Sequence, residues 1–460
     1  MSKISKLKAS KSKLKKFSTG KIVKQKNKKK SIDIRRKRTH TKDDGIANDE
    51  DSLIVKKRPS KVELKSVIEE LKKDATLIVV RKALKYIPCF LKSDGLTKKL
   101  LKEVIRLWAE SSEKIRVICL LCLIRIYTKV RESDRKQMII KKLYTTFLEK
   151  CRVTKQETMS MIGFMRHSLV ELYKLDQQIA FKQAQSSCQQ LASTLKNATT
   201  HKNEETYKSV LNWQFANCLI LLSQLITSHA DDSPVRSLLS QVIQLNLGAI
   251  NLLISPRYYP FYCHLIENLI HLSLSASVFI PVLPLIVCII KRIEMPLDKK
   301  QEFARKNHSK LAQKRLSNGS KNEDQISDDE QEKREYNIDL LNHVSLDESH
   351  CHEYNVAVLD KLYELTLLYL AKQSHKIAFP ELVFLPCVQL KKWLRRNPGT
   401  PTHKFRSLVD KIKTDCERLE EARKSVDFAF SNASAVDAWQ KKIQDSNKLC
   451  LPKLLISCTT

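Results

Sequence analysis

From about residue 61 to residue 293, apolar residues recur at three- and four-residue spacing, in segments of 12–25 residues parted by short polar breaks. That period is helical. It predicts helices over 61–73, 75–92, 98–110, 113–130, 134–150, 156–174, 176–196, 204–229, 234–253, 258–274 and 278–293. No stretch alternates apolar and polar positions as a half-buried strand would. The period returns over 356–373, 379–396, 402–430 and 435–445, a C-terminal helical lobe that is either a separate unit or the end of the same array. In Ile115–Tyr127 only Arg116 and Arg125 are charged, so neighbours must cover most of this helix's circumference. Helix pairs with one such buried member stack into solenoids, each pair burying its apolar face on the next. No strict repeat period is present. The expected fold class is therefore all-α, an irregular helical-repeat solenoid of HEAT or armadillo type.

Two stretches lack the period. Residues 1–60 are dominated by Lys, Ser and Asn and read as a disordered basic tail. Residues 298–350, rich in Lys, Asn, Ser, Gln, Asp and Glu, read as a flexible low-complexity linker. The expected organisation is thus a tail (1–60), a helical-repeat array (61–297), a linker (298–350) and a C-terminal helical lobe (351–455). One segment imitates a membrane span: Asn268–Ile290 carries no formal charge over 23 residues and ends in the run VFIPVLPLIVCII. Its first half holds His271, Ser273, Ser275 and Ser277, and Pro281 and Pro284 interrupt the second. The truly apolar run is only 13 residues long, too short for a bilayer, so a buried core helix and no membrane partner are expected.

Composition adds direction to this pattern. Seven glycines and thirteen prolines in 460 residues disfavour turn-rich all-β folds and enzymes built on several glycine loops. The formal charge is +33, and it is unevenly placed. Residues 1–42 hold 18 Lys and Arg and a single acid, Asp33, while the other 418 residues hold 65 basic against 49 acidic side chains. Within the tail, Lys28, Lys29 and Lys30 are followed after four residues by Arg35, Arg36, Lys37 and Arg38. That layout suits nuclear import receptors, and it equally suits phosphate contacts along RNA, since lysines on a mobile chain release counterions without a fixed register. Aromatic residues make up 7% of the chain and lie mostly at helix-core spacing, so base-stacking platforms are not expected.

Candidate chemistry is sparse. Cys119 and Cys122 form a CxxC, but inside the most apolar helix, which makes buried reduced thiols the expected state of a cytosolic or nuclear protein. The run His350, Cys351, His352, Glu353 offers metal-ligand types without a second pair at matching spacing. No phosphate-binding glycine loop, dinucleotide fingerprint, zinc-protease helix or strained nucleophile turn occurs. No cofactor is expected, and nothing recommends an enzyme. Two aromatic constellations remain as partner-interface candidates or as interior packing. The head Arg257, Tyr258, Tyr259, Pro260 opens a helix with a proline where a missing amide donor costs nothing. The stretch Ile377–Arg396 contains Phe379, Pro380 and Glu381 and ends in a basic cluster around Trp393, and Trp213 with Gln214 joins these interface candidates.

At these residues the chain resembles the nucleolar complex protein 2 family, eukaryotic factors of large ribosomal subunit assembly. The resemblance rests on Trp213-Gln214 opening a long helix, on Ser255-Pro256-Arg257-Tyr258-Tyr259-Pro260, on Phe279-Ile280-Pro281-Val282-Leu283-Pro284-Leu285 and on Phe379-Pro380-Glu381-Leu382-Val383, in that order and spacing. It extends more loosely over about 62–455, including Trp108 and Asp437-Ala438-Trp439. The resemblance implies a non-enzymatic helical-repeat factor of the nucleus, nucleolus and nucleoplasm. Implied partners are nucleolar complex proteins of types 1 and 3 and pre-60S ribosomal particles with their rRNA, while nuclear import receptors are expected from the basic tail. The chain is short for that family, its acidic N-terminal patch is brief, and 298–350 is polar where relatives carry a basic-hydrophobic segment. From the residues alone, a helical-solenoid transport adaptor and a chromatin-associated nuclear protein also fit.

Overall fold

The structure is a computed structural model, and it describes residues 59–73, 75–230, 233–294 and 335–459. The basic tail residues Lys28 to Arg38 lie outside the described residues. Among those described, secondary structure is entirely helical: the expected all-α fold, with no strand.

The first helices are α1 (Lys61–Lys73), α2 (Leu77–Phe90), α3 (Asp94–Glu110), α4 (Glu113–Lys129), α5 (Ser133–Lys150), α6 (Gln156–Lys174) and α7 (Gln177–His201). Next are α8 (Glu204–Val210), α9 (Trp213–Thr227), α10 (Leu239–Leu252), α11 (Tyr259–Ser275) and α12 (Leu283–Ile290). The C-terminal helices are α13 (His352–Gln373), α14 (Phe379–Arg396), α15 (His403–Arg423), α16 (Ala433–Asp445) and α17 (Cys450–Thr459). Packing partners are mostly near in sequence, as in a solenoid: α2 and α3 on α4, α5 on α6 and α7, α9 on α10 and α11, α11 on α13, α14 on α15. One buried apolar cluster runs from Leu64 to Leu451.

Several boundaries differ from the sequence pattern for local reasons. The predicted helix 204–229 is two helices, because Asn212 leaves the helical conformation and its Oδ1 accepts the Phe215 N–H at 2.9 Å, capping α9. This break also bears on membrane crossing. By length and composition Glu204–Thr227 would reach across a bilayer, yet most of its apolar stretch is buried inside the fold. The predicted helix 278–293 shrinks to α12, since Ser277 adopts a left-handed φ of 54° and Pro281 and Pro284 allow helix only from Leu283 onward. The segment Asn268–Ile290 is therefore the end of α11, a turn and α12 rather than one core helix. The predicted helix 402–430 stops at Arg423, and α17 has no counterpart among the predicted helices. It begins where the Asp415 carboxylate, fully buried, accepts the Cys450 and Leu451 N–H groups at 2.7 and 2.9 Å. On α4, Cys119, Cys122, Leu123 and Ile126 are buried, but Val117 and Leu121 are 43% and 48% exposed. Cover of that helix is thus less complete than its composition suggests.

Residues 335–350, which composition assigns to the linker, are packed. Ile338 and Val344 are buried, Asn342 donates to the Leu211 carbonyl at 2.9 Å, and the Val344 N–H reaches the Arg257 carbonyl at 3.0 Å. Isolated apolar residues (Ile338, Leu341, Val344) among Asn, Asp and His carry no helical period, so composition alone conceals their anchoring role.

Candidate functional site

A cleft of about 700 Å³ opens between α6, α9 and α11, closed on one side by residues 337–340 and by Lys361 of α13. Its polar lining is set by helix period. Arg166, Asn217, Gln224, His264, Glu267 and Asn268 occupy positions on inward faces where apolar residues would ordinarily sit. Such groups persist inside a core when hydrogen-bonded. Asn268 Nδ2 donates to Ser223 Oγ and to Asn246 Oδ1, both at 3.0 Å, tying α11 to α9 and α10. Arg166 donates from Nε to Gln224 Oε1 and from one terminal nitrogen to Asn217 Oδ1, both at 3.1 Å. Trp213 stands at the head of α9 with its ring centroid 4.8 Å from that of His264.

Ligand atoms of His264, Glu267 and Asp339 lie within 4.8 Å of one another, the residue types of a metal site. The chemistry of the set argues otherwise. Lys361 Nζ lies 2.6 Å from Asp339 and 3.6 Å from Glu267, so the protein supplies its own cation there. Burial opposes the Lys361 charge, but Glu267 and Asp339 outweigh it and hold the pKa above the usual lysine value. Burial likewise pushes Glu267 up, and is overcome by His271 and Lys361, which leave it below the usual carboxylate value. Burial lowers the His264 pKa, keeping the ring neutral, and its Nε2 is paired with the Leu341 carbonyl at 2.9 Å.

The other candidate chemistry disperses. Burial pushes the Cys119 and Cys122 thiols up to about 12, as expected of core cysteines. His350, Cys351, His352 and Glu353 lie across the start of α13 and converge on no metal cluster among the described residues.

The interface residues expected from sequence have mixed fates. Trp213 reaches the cleft. Gln214 is committed inward, donating to the Leu148 carbonyl at 2.7 Å. Arg257 bonds the Val344 carbonyl at 3.2 Å, and Tyr258, Tyr259 and Pro260 are buried at the head of α11. Phe379 is buried and Pro380 half-buried, while Trp393 is buried and donates to the Ile293 carbonyl at 2.8 Å. Glu381 is exposed and forms a two-pronged pair with Arg423, both contacts at 2.7 Å. Sequence pattern misses the outer face of α14: Phe384, Leu385 and Val388 are 71%, 60% and 50% exposed, with Lys391, Lys392 and Arg395 exposed along the same helix. It also misses Arg166 and Lys361, two among 83 basic residues, which only tertiary burial singles out.

Fold and cleft together define an α-solenoid whose concave polar site is already furnished with charge of both signs. A family model described as the Noc2p family matches residues 135–456, more than two thirds of the sequence, and the chain belongs to that family. Similar proteins include "Nucleolar complex protein 2" of Drosophila melanogaster, 28% identical over 362 residues, 76% of this chain and 42% of the relative. "Protein REBELOTE" of Arabidopsis thaliana is 26% identical over 376 residues, 81% of this chain and 57% of the relative. "Nucleolar complex-associated protein 2" of the same plant is 22% identical over 347 residues, 74% of this chain and 41% of the relative. The chain spans about half the length of these relatives. Its localisation is that of the family, nuclear and nucleolar.

Proposed function

We propose that this protein is a non-catalytic scaffold in the biogenesis of the large ribosomal subunit. It holds other nucleolar assembly factors, of nucleolar complex 1 and 3 type, on its helical array while the Lys28–Arg38 tail engages pre-ribosomal RNA and import receptors. The observation that carries this reading is the family match, which takes in nearly all of α5, every helix from α6 to α16 and most of α17, and with them the cleft-lining helices α6, α9 and α11. The physical logic is division of labour. Stacked helices supply a long, stiff surface for protein recognition, and a basic tail adds affinity through effective concentration without dictating base sequence. The exposed apolar strip on α14, flanked by basic residues, supports a protein-binding role.

The test is to isolate the tagged protein from nuclei at moderate salt and identify what accompanies it. Co-purification of large-subunit precursor RNA and its assembly factors is the expected result. Deleting residues 1–42 should flatten the salt dependence of RNA binding and impair nuclear entry while leaving protein partners attached. Recovery of chromatin or import cargo in place of ribosomal precursors would overturn the reading.

A further inference from the structure

Arg166 is the unusual group in the cleft. Its guanidinium is drawn inward by α6, burial lowers its pKa, and its hydrogen-bond partners are two neutral amide oxygens. Among the described residues, no carboxylate is in ion-pair contact with it. A guanidinium withdrawn from water without an anion is costly, and inside proteins such charges are ordinarily paired. A second group points the same way. Thr154, only 9% exposed, lines the same cleft, and its hydroxyl, shielded from water, has no hydrogen-bond partner. A cation lacking an anion and a hydroxyl lacking a partner, in one cavity, describe an unfilled acceptor position.

We propose that the cleft receives an acidic side chain of a partner protein, its carboxylate seated on Arg166 and Thr154. Apolar neighbours of that side chain lie against Ile162, Ile220 and Trp213. The occupant is a peptide rather than a nucleic acid, because Glu267 and Asp339 line the same cavity and repel the successive phosphates of a strand, whereas one carboxylate among uncharged residues meets only Arg166. Arginine suits the task, since its planar fork pairs with both carboxylate oxygens. The proposal deepens the scaffold reading, on which it rests, by giving the partner's chemistry at one point of contact.

The test measures fluorescence anisotropy with the full chain and two labelled nonapeptide pools, random in Leu, Phe, Ser and Asn except for a central Glu in one and Gln in the other. At least tenfold tighter binding of the Glu pool is expected. Arg166→Gln should erase that preference in a chain that still folds, as helix content by circular dichroism reports, Arg166→Lys should retain part of it, and Thr154→Val should weaken it about two- to fivefold. Equal binding of the two pools, no binding of either, or a Glu preference that survives Arg166→Gln overturns the proposal. So does displacement of the Glu pool by a single-stranded RNA oligonucleotide but not by a free acidic peptide. Failure here with ribosomal assembly factors still co-purifying sinks the cleft proposal alone. Glu-dependent binding without those factors sinks the scaffold reading alone.

Discussion

Helices α11 and α14 open alike, Tyr259-Pro260-Phe261 in one and Phe379-Pro380-Glu381 in the other, and both are rich in large apolar residues. Their surroundings differ. α11 is packed by α9, α10, α12 and α13 and hides Tyr259, Phe261, Tyr262, Leu265, Ile266 and Leu269. α14 is packed chiefly by α12 and α15, so Phe379, Val383, Leu390 and Trp393 turn inward while Phe384, Leu385 and Val388 face out. An apolar run thus means core in the middle of a helical array and available surface at its flank. What separates the cases is the number of neighbouring helices, a tertiary property.

The sharpest way to break the comparison is to truncate one aromatic on each helix. Phe261→Ala should cost about 3–5 kcal/mol, because a fully enclosed ring leaves a cavity its neighbours cannot collapse into. Phe384→Ala should change stability by less than about 0.5 kcal/mol. Urea midpoints of the two variants measure both, and equal losses would mean that α14 is covered on its outer side. Next in size is Trp393→Phe. It removes the indole donor and leaves the Ile293 carbonyl without its 2.8 Å partner, for an expected loss of about 1–3 kcal/mol by the same measurement.

Much of this architecture is legible in the residues. Helical period locates nearly every helix from α1 to α16, since burying one face requires apolar residues every three or four positions whatever the neighbours are. The break before α9 is legible too, in an Asn followed by an apolar run, but the continuous period of 204–229 outweighs it. Neither the packing of 335–350 nor α17 can be read, because each depends on distant partners: Arg257 for Val344, Asp415 for the backbone of Cys450. The cleft is least visible. Arg166, in the run GFMRHSLVEL, is an ordinary helical arginine until Asn217 and Gln224, more than fifty residues away, are brought against it.

A smaller effect comes from the pair that joins α14 to α15. Hydrogen bonding from Arg423 holds the Glu381 carboxyl below its usual value, so the pair stabilises the fold fully above the unfolded pKa of about 4.3. That contribution is lost as pH falls from there through the lowered folded pKa. Glu381 is largely exposed, and solvent screening keeps the whole effect under about 1 kcal/mol. Unfolding of Glu381→Gln should therefore match the unaltered protein more closely at pH 3 than at pH 7, and 1 M salt should shrink the pH 7 difference. A gap that widens at pH 3 would show that the pair is not what fastens α14 to its neighbour.

The least effect on stability, and the most informative about α14, is expected from replacing Phe384, Leu385 and Val388 together by serine. These side chains already face water, so the folded protein loses little burial and the net change should stay within about 0.5 kcal/mol. An exposed apolar strip beside Lys391, Lys392 and Arg395 nevertheless has a cost in solubility, and a chain that keeps it gains when another surface covers it. The triple variant should therefore fold with unchanged helix content by circular dichroism and recover fewer co-purifying proteins from nuclei, and on the proposed role of the tail RNA recovery should be unchanged. If instead the variant loses stability by several kcal/mol, the strip is interior and α14 resembles α11 after all. If stability and co-purifying proteins are both unchanged, the outer face of α14 is bare surface, and the proposed scaffold surface lies elsewhere on the array.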